Sequence, residues 1–240
     1  MTQKEDWNYS TQELLQKFDV TEQGLNNARV EETRRQTGEN ILQEGKKKST
    51  LEVFLGQFCD LLVVILIIAA IISMFSGNVE STIVILLVLI MNAVLGTVQH
   101  IKAQRSLESL KQLSAPNAKV IRNGVKQEIP SREIVPGDIV MLEAGDMIVA
   151  DGRILHNYSL QVNESSLTGE STNVEKTDMV IEGKAALADR VNMVYSGSLV
   201  TYGRAQVLVT GTGMKTELGK IAGLMNAAKE RKTPKQESLD

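Results

Sequence analysis

Apolar residues in this chain are gathered rather than spread. No charge occurs from Leu61 to Val79, a run opening Leu61-Leu62-Val63-Val64-Ile65-Leu66-Ile67-Ile68. None occurs from Ser81 to Gln99, centred on Ile83-Val84-Ile85-Leu86-Leu87-Val88-Leu89-Ile90. About twenty apolar residues rising ~1.5 Å each cross a hydrocarbon core ~30 Å thick. Segments apolar on all sides suit lipid, whereas two such runs would dominate the core of a soluble bundle this small. The polar turn Ser76-Gly77-Asn78-Val79-Glu80 separates them. The pattern therefore predicts an antiparallel two-helix transmembrane hairpin, with spans at about 58–76 and 80–99. Lys46 to Lys48 precede the first span, and Lys102 and Arg105 follow the second. The excess of basic residues at both ends places them in the cytoplasm.

Outside that block the periodicity changes. Ser10-Thr11-Gln12-Glu13 fits a capping box, followed by Leu14, Leu15 and Phe18. A second short helix is predicted from Leu25 to Gln36, stopping at Gly38. Both are too short to stand alone and are expected to pack on another element. After the second span, Leu107, Leu110 and Leu113 recur every three residues among charges, which reads as a helical stalk ended by Ser114-Ala115-Pro116-Asn117. From Ala118 onward short alternating runs dominate. Lys119 to Arg122 and Lys126 to Ile129 flank Asn123-Gly124, a hairpin signal. Further runs are Asp138 to Leu142, Met147 to Leu155, Leu160 to Val162, Asn192 to Tyr195 and Leu199 to Thr210, punctuated by Gly and Asp. This spacing predicts a compact barrel or sandwich closed by a helix from about Thr216 to Lys229, with Leu218, Ile221, Ala222, Met225 and Ala228 as its stripe.

The fold class is accordingly mixed: a transmembrane hairpin with helical stalks, a β-rich domain of jelly-roll-like barrel or sandwich type, and short N- and C-terminal helices. The expected divisions are 1–50, a cytosolic helical segment; 51–100, two transmembrane helices; 101–117, stalk and linker; 118–215, the β-rich domain; and 216–240, a closing helix and linker.

Composition narrows the partners. The net charge is -3, with 42% hydrophobic residues and few aromatics. There is no basic stripe beyond Lys46 to Lys48, so no nucleic-acid partner is expected. Cys59 is the sole cysteine, which leaves no intrachain disulfide and no thiol-based metal motif. The polar first fifty residues do not read as a cleavable signal. Asp60, at the cytosolic edge of the first span, is a candidate ion-entry group; an interfacial acid facing water is the competing reading. For Asn92 and Thr97, deep in the second span, helix-to-helix hydrogen bonding is expected.

One segment carries candidate chemistry: Val162-Asn163-Glu164-Ser165-Ser166-Leu167-Thr168-Gly169-Glu170-Ser171. Gly169 permits a left-handed turn and close approach to another surface, and Glu170 then stands as a carboxylate at a loop tip. Here the chain resembles the P-type cation-transporting ATPases, whose actuator domain carries Thr-Gly-Glu-Ser. The resemblance continues through Val135-Pro136-Gly137-Asp138, Gly145-Asp146 with Ala150-Asp151-Gly152, Val174-Glu175-Lys176, Asn192 to Val200, and Thr210-Gly211 through Ile221. Upstream, Gly24-Leu25 with Arg34 to Asn40 and Leu42 is similar to the N-terminal segment of cation pumps. Gln57-Phe58 with Asp60-Leu61-Leu62 is similar to the first span of calcium pumps. A lone Thr-Gly-Glu-Ser is weak; the ordered series after an apolar hairpin is strong.

The resemblance implies an ATP-driven cation pump, with calcium favoured, that forms an aspartyl phosphate elsewhere in the parent protein. It assigns Glu170 to hydrolysis of that phosphate, with Thr168, Gly169 and Ser171 shaping the loop. ATP and Mg2+ are implied for the full-length parent only, because this sequence contains no Asp-Lys-Thr-Gly-Thr motif. The implied partners are the lipid bilayer, the phosphorylation and nucleotide-binding domains, the remaining spans and the transported cation. The implied location is the plasma membrane, with the N-terminus and the β-rich domain cytosolic. There are departures: Asn163 stands where an acid is usual, Val149 and Asn173 where proline is frequent, and Cys59 where animal calcium pumps carry a glutamate. The last weakens an acidic gating role there. The alternative is a membrane-tethered, non-enzymatic regulatory or binding module that retains the fold.

Overall fold

The computed structural model describes residues 4–42, 49–113, 116–169 and 172–230. Lys46 to Lys48, the Ser114-Ala115 junction, Glu170, Ser171 and residues 231–240 lie outside that set. The chain divides into two units, one of residues 45–115 and one joining 1–44 to 116–240.

The first unit is helical. Helices α3 (Thr50–Gly56), α4 (Leu61–Phe75) and α5 (Val79–Leu113) follow α1 (Thr11–Lys17) and α2 (Asn27–Thr37) in chain order. Ser49 caps α3 and Glu52 reaches back to the Ser49 N–H at 2.8 Å. Among the described residues, one helix is long and apolar enough to cross a membrane, Val79–Ser109 within α5. The earlier apolar run differs from the sequence expectation. It forms only 15 residues of α4, and it meets the length and composition for a span only together with α3, from which it is bent by 68°. Asp60, extended at ψ 135, marks that break. The second run continues unbroken into the stalk as one helix. Helix α5 packs on α4 and α3, and the buried residues Val63, Ala70, Leu89, Ala93 and Thr97 are mostly small side chains that allow close approach. Ile65, Ile68, Ile72, Leu87 and Ile90 are left exposed. The polar groups do not join the helices as expected. Thr97 Oγ1 donates to Ala93 O of its own helix at 2.7 Å, and Asn92 is exposed.

The second unit is a seven-stranded antiparallel sheet with strand order β2-β1-β3-β7-β4-β5, and β6 paired to β4. The strands are β1 (Asn117–Arg122), β2 (Val125–Pro130), β3 (Ile139–Glu143), β4 (Asp151–Asn163), β5 (Asn173–Glu175), β6 (Met193–Val194) and β7 (Leu199–Gly211). The expected hairpin around Asn123-Gly124 is present; both residues take positive φ, as its two-residue turn requires. Two expected strands are one. β4 runs through His156 to Ser159 with register shifts between Ile154 and His156 and between Tyr158 and Gln161. The shifts absorb the polar break in alternation, and Ser159 sits at φ 52.

Alternation along these strands divides the core in two. Val120, Ile154, Val207 and Val209 join Ile134, Leu160, Val162 and Val200 on one side. Ile121, Leu155 and Leu208, their sequence neighbours, face the other side with Leu14, Val20, Leu25 and Val30 from the N-terminal segment. The short leading helices thus cover the second face of the sheet. Ser10 and Glu13 form the expected capping box. The second helix starts at Asn27 rather than Leu25, because the Asn26 side chain accepts from Arg29 N–H at 2.8 Å. Leu25 is instead extended, bridged to Arg122, with its carbonyl accepting the Asn123 N–H at 3.1 Å. Gly24 permits this contact: it has φ +75, and a Cβ there would lie 1.8 Å from Ile121 O.

Helix α6 (Ser165–Thr168) follows β4, and α7 (Glu217–Glu230) closes the unit.

Candidate functional site

The candidate loop is an excursion between two paired strands. β4 and β5 are antiparallel, with Val162 opposite Val174 and Asn163 opposite Asn173. β4 is held along its length by β7, so the loop leaves a stiff base. At its exit the Asn163 Oδ1 accepts both the Ser165 N–H at 3.1 Å and the Ser165 hydroxyl at 2.6 Å. This aspartate-like turn starts α6. Ser166 Oγ donates to Gly197 O at 3.1 Å. The Glu164 carbonyl accepts from Leu167 N–H, Thr168 N–H and Thr168 Oγ1, at 2.9, 3.0 and 3.1 Å. Gly169 then ends the turn at φ 77, ψ -4, where a non-glycine residue is disfavoured, and its N–H reaches Ser165 O.

Of the predicted site residues, Thr168 and Gly169 are brought together here, Thr168 half-buried and Gly169 exposed. Glu170 and Ser171, the next two in sequence, lie outside the described residues. Asp60 belongs to the helical unit, where it is exposed and its carbonyl accepts the Val64 N–H. No group of three or more His, Cys, Asp or Glu suited to a metal ion occurs among the described residues.

Below the loop is an ion pair that sequence reading did not single out. Leu160, Val162 and Glu164 alternate onto the buried face, and Lys176 N–H pairs with Leu160 O. Lys176 Nζ meets Glu164 Oε1 at 2.5 Å, both side chains 1% exposed. Burial pushes the Glu164 carboxyl up and the Lys176 ammonium down, while each charge draws the other back. The usable signal was a glutamate directly after β4 that continues its inward register, a place where charge is rare unless paired.

Residues 112–226 match the family described as the P-type ATPase actuator domain, and residues 6–73 match the cation transporter/ATPase N-terminus. The chain belongs to the P-type ATPase family. It is similar to a calcium-transporting ATPase of Listeria monocytogenes, 46% identical over 96% of this chain and 26% of that protein. Calcium-transporting ATPase 1 of Lactococcus lactis is 47% identical over 98% and 27%, and a calcium-transporting ATPase of Bacillus subtilis is 42% identical over 91% and 25%. The chain spans about a quarter of the length of the curated relatives it matches.

The remaining motifs of this actuator domain hold its frame. Asp138 of Val-Pro-Gly-Asp is fully buried and accepts Arg122 bidentately at 2.8 and 2.6 Å, plus the Val135 N–H at 2.9 Å. Asp151 of Ala-Asp-Gly accepts the Ser196 and Glu217 N–H groups at 2.8 and 2.7 Å, joining β4 to the start of α7. Burial raises its carboxyl to about 6, against those two hydrogen bonds. Asn40 ties in the leader: its Nδ2 donates to Ser131 O and Val149 O, and its Oδ1 accepts the Gly213 N–H at 2.7 Å.

Proposed function

We propose that this chain is the actuator-bearing part of an ATP-driven cation pump, with calcium as the exported ion, and that Glu170 hydrolyses the aspartyl phosphate of the parent protein. The observation that carries the reading is the Thr168-Gly169 turn immediately ahead of Glu170, on a β4–β5 base inside the region matching actuator domains. Calcium rests on the names of the relatives.

In the proposed step a water oxygen attacks phosphorus. The Glu170 carboxylate takes a proton from that water, and the P–O bond to the aspartyl carboxylate breaks. Thr168, Gly169 and Ser171 shape the loop that presents Glu170. ATP and Mg2+ are assigned to domains of the parent beyond these 240 residues. The chain is read as integral to the plasma membrane, with α5 as one side of a hairpin and the bent α3–α4 pair as the other. The leader and the β-rich unit are read as cytosolic. Rotation of the β-rich unit would act on the spans through its two linkers, a hinge-type coupling.

The test places Glu170→Gln and Glu170→Ala in the full-length parent and follows phosphoenzyme decay after a pulse of labelled ATP. Normal formation with decay slowed by about 100-fold or more is expected for loss of a general base. Decay at the normal rate overturns the assignment of Glu170. Absence of any phosphoenzyme in the unmutated parent overturns the pump reading.

A further inference from the structure

We infer that the buried Glu164–Lys176 ion pair is a positioning device for the loop that carries Glu170, an inference that rests on the hydrolytic reading of Glu170. Glu164 is anchored from two directions. Its carboxylate is fixed from within by Lys176 Nζ, and its main-chain carbonyl holds both the N–H and the hydroxyl of Thr168. The orientation of Thr168-Gly169 therefore depends on where Glu164 sits.

Lys176 is itself immobilised. Its N–H donates to Leu160 O at 2.9 Å, and its carbonyl accepts Asn157 Nδ2 at 2.6 Å. Its ammonium stands 5.8 Å from the centre of the Tyr195 ring. The chain passes from Glu164 through the loop and returns along β5 to Lys176, so the pair ties the start of the loop to the strand on which it returns.

A pair serving stability alone could be replaced by uncharged side chains of similar shape without touching one chemical step. The geometry calls for more. With the Glu164 carboxylate released, the α6 turn keeps its internal hydrogen bonds and the Ser166 tie to Gly197 O but loses its anchor to the returning strand, which sets the turn's direction together with that tie. Displacement of a reacting group by about 1 Å lowers a rate by up to about 100-fold.

The test uses the full-length parent with Glu164→Gln, Lys176→Met and the double variant, each beside Glu170→Gln. The readouts are phosphoenzyme formation from ATP, phosphoenzyme decay, and hydrogen exchange of the 165–172 amides against those of β4 and β7. The expected result is near-normal formation, decay slowed about 10- to 100-fold, and faster exchange confined to the loop. The double variant leaves no unpaired buried charge; it is expected to form phosphoenzyme normally and still to decay slowly. Normal decay in the pair variants beside slow decay in Glu170→Gln overturns the inference and leaves the assignment of Glu170 standing. Normal decay in Glu170→Gln overturns that assignment and the inference with it. Loss of phosphoenzyme formation in all three pair variants marks the pair as a folding element and overturns the positioning role.

Discussion

Asp151 is 6% exposed and satisfied by two backbone N–H groups, yet its carboxyl is pushed up to about 6. Desolvation outweighs the hydrogen bonds. The folded carboxyl holds its proton more tightly than the unfolded one, whose usual value is 3.8. This group's contribution is thus fully present below about pH 4 and is lost as pH rises through about 6, a change of up to about 3 kcal/mol. Thermal unfolding between pH 4 and 6 is expected to show that slope, and Asp151→Asn to remove it. An unchanged slope would mean that another group titrates there. Glu13 works in a separate window. Lys4, then Ser10, holds its carboxyl down to about 2, so its contribution is present above about pH 4.5 and fades toward pH 2.

At the scale of elements, the leader shows how local and tertiary forces divide the work. Ser10 and Glu13 specify where α1 begins, a seven-residue helix too short to persist alone. It persists because Leu14, fully buried, enters the cluster with Ile121, Leu155 and Leu208. Leu14→Ala is expected to destabilise the β-rich unit by about 2–5 kcal/mol, read as a lower urea midpoint of the whole chain in detergent. A change within error would show that the leader is only loosely applied to the sheet. The Ser10–Glu13 capping box, the Asn123-Gly124 turn and the strand alternation were legible from the residues; the Ser49–Glu52 box was not singled out. The start of α2 was not, because Leu25 spends its apolar side chain and its carbonyl on a bridge to β1, a partner 97 positions away in sequence.

At the scale of the molecule, α5 is the dominant object. Its 35 residues extend about 50 Å, well beyond a hydrocarbon core of ~30 Å. The charges begin at Lys102, and Leu107 is exposed beyond them. In a Cys59→Ser background reconstituted into vesicles, Leu107→Cys is expected to react with a membrane-impermeant maleimide, and Leu87→Cys to remain unlabelled. Equal labelling of the two would oppose insertion of α5. The first span was expected at about 58–76, but the apolar run forms only the 15 residues of α4, which Asp60 and the three-residue turn before it set at 68° to α3.

Apolar periodicity, turn chemistry and the ordered motif series determined by themselves that this chain has an apolar helical block, a β-rich domain and the motif series of the P-type ATPase family. These are local properties: a capping oxygen, a glycine at positive φ or a run of aliphatic residues acts within a few positions. What only the tertiary structure decided was long-range. It set the leader against the sheet, merged two strand segments into β4, and turned Asp138 and Asp151 of the family motifs into buried braces. It also joined Glu164 to Lys176. A buried charge is tolerated where hydrogen bonds satisfy it, as for Asp151, or a partner of opposite sign meets it, as for Glu164; the strand register, not the spacing in sequence, brings Lys176 within reach of Glu164.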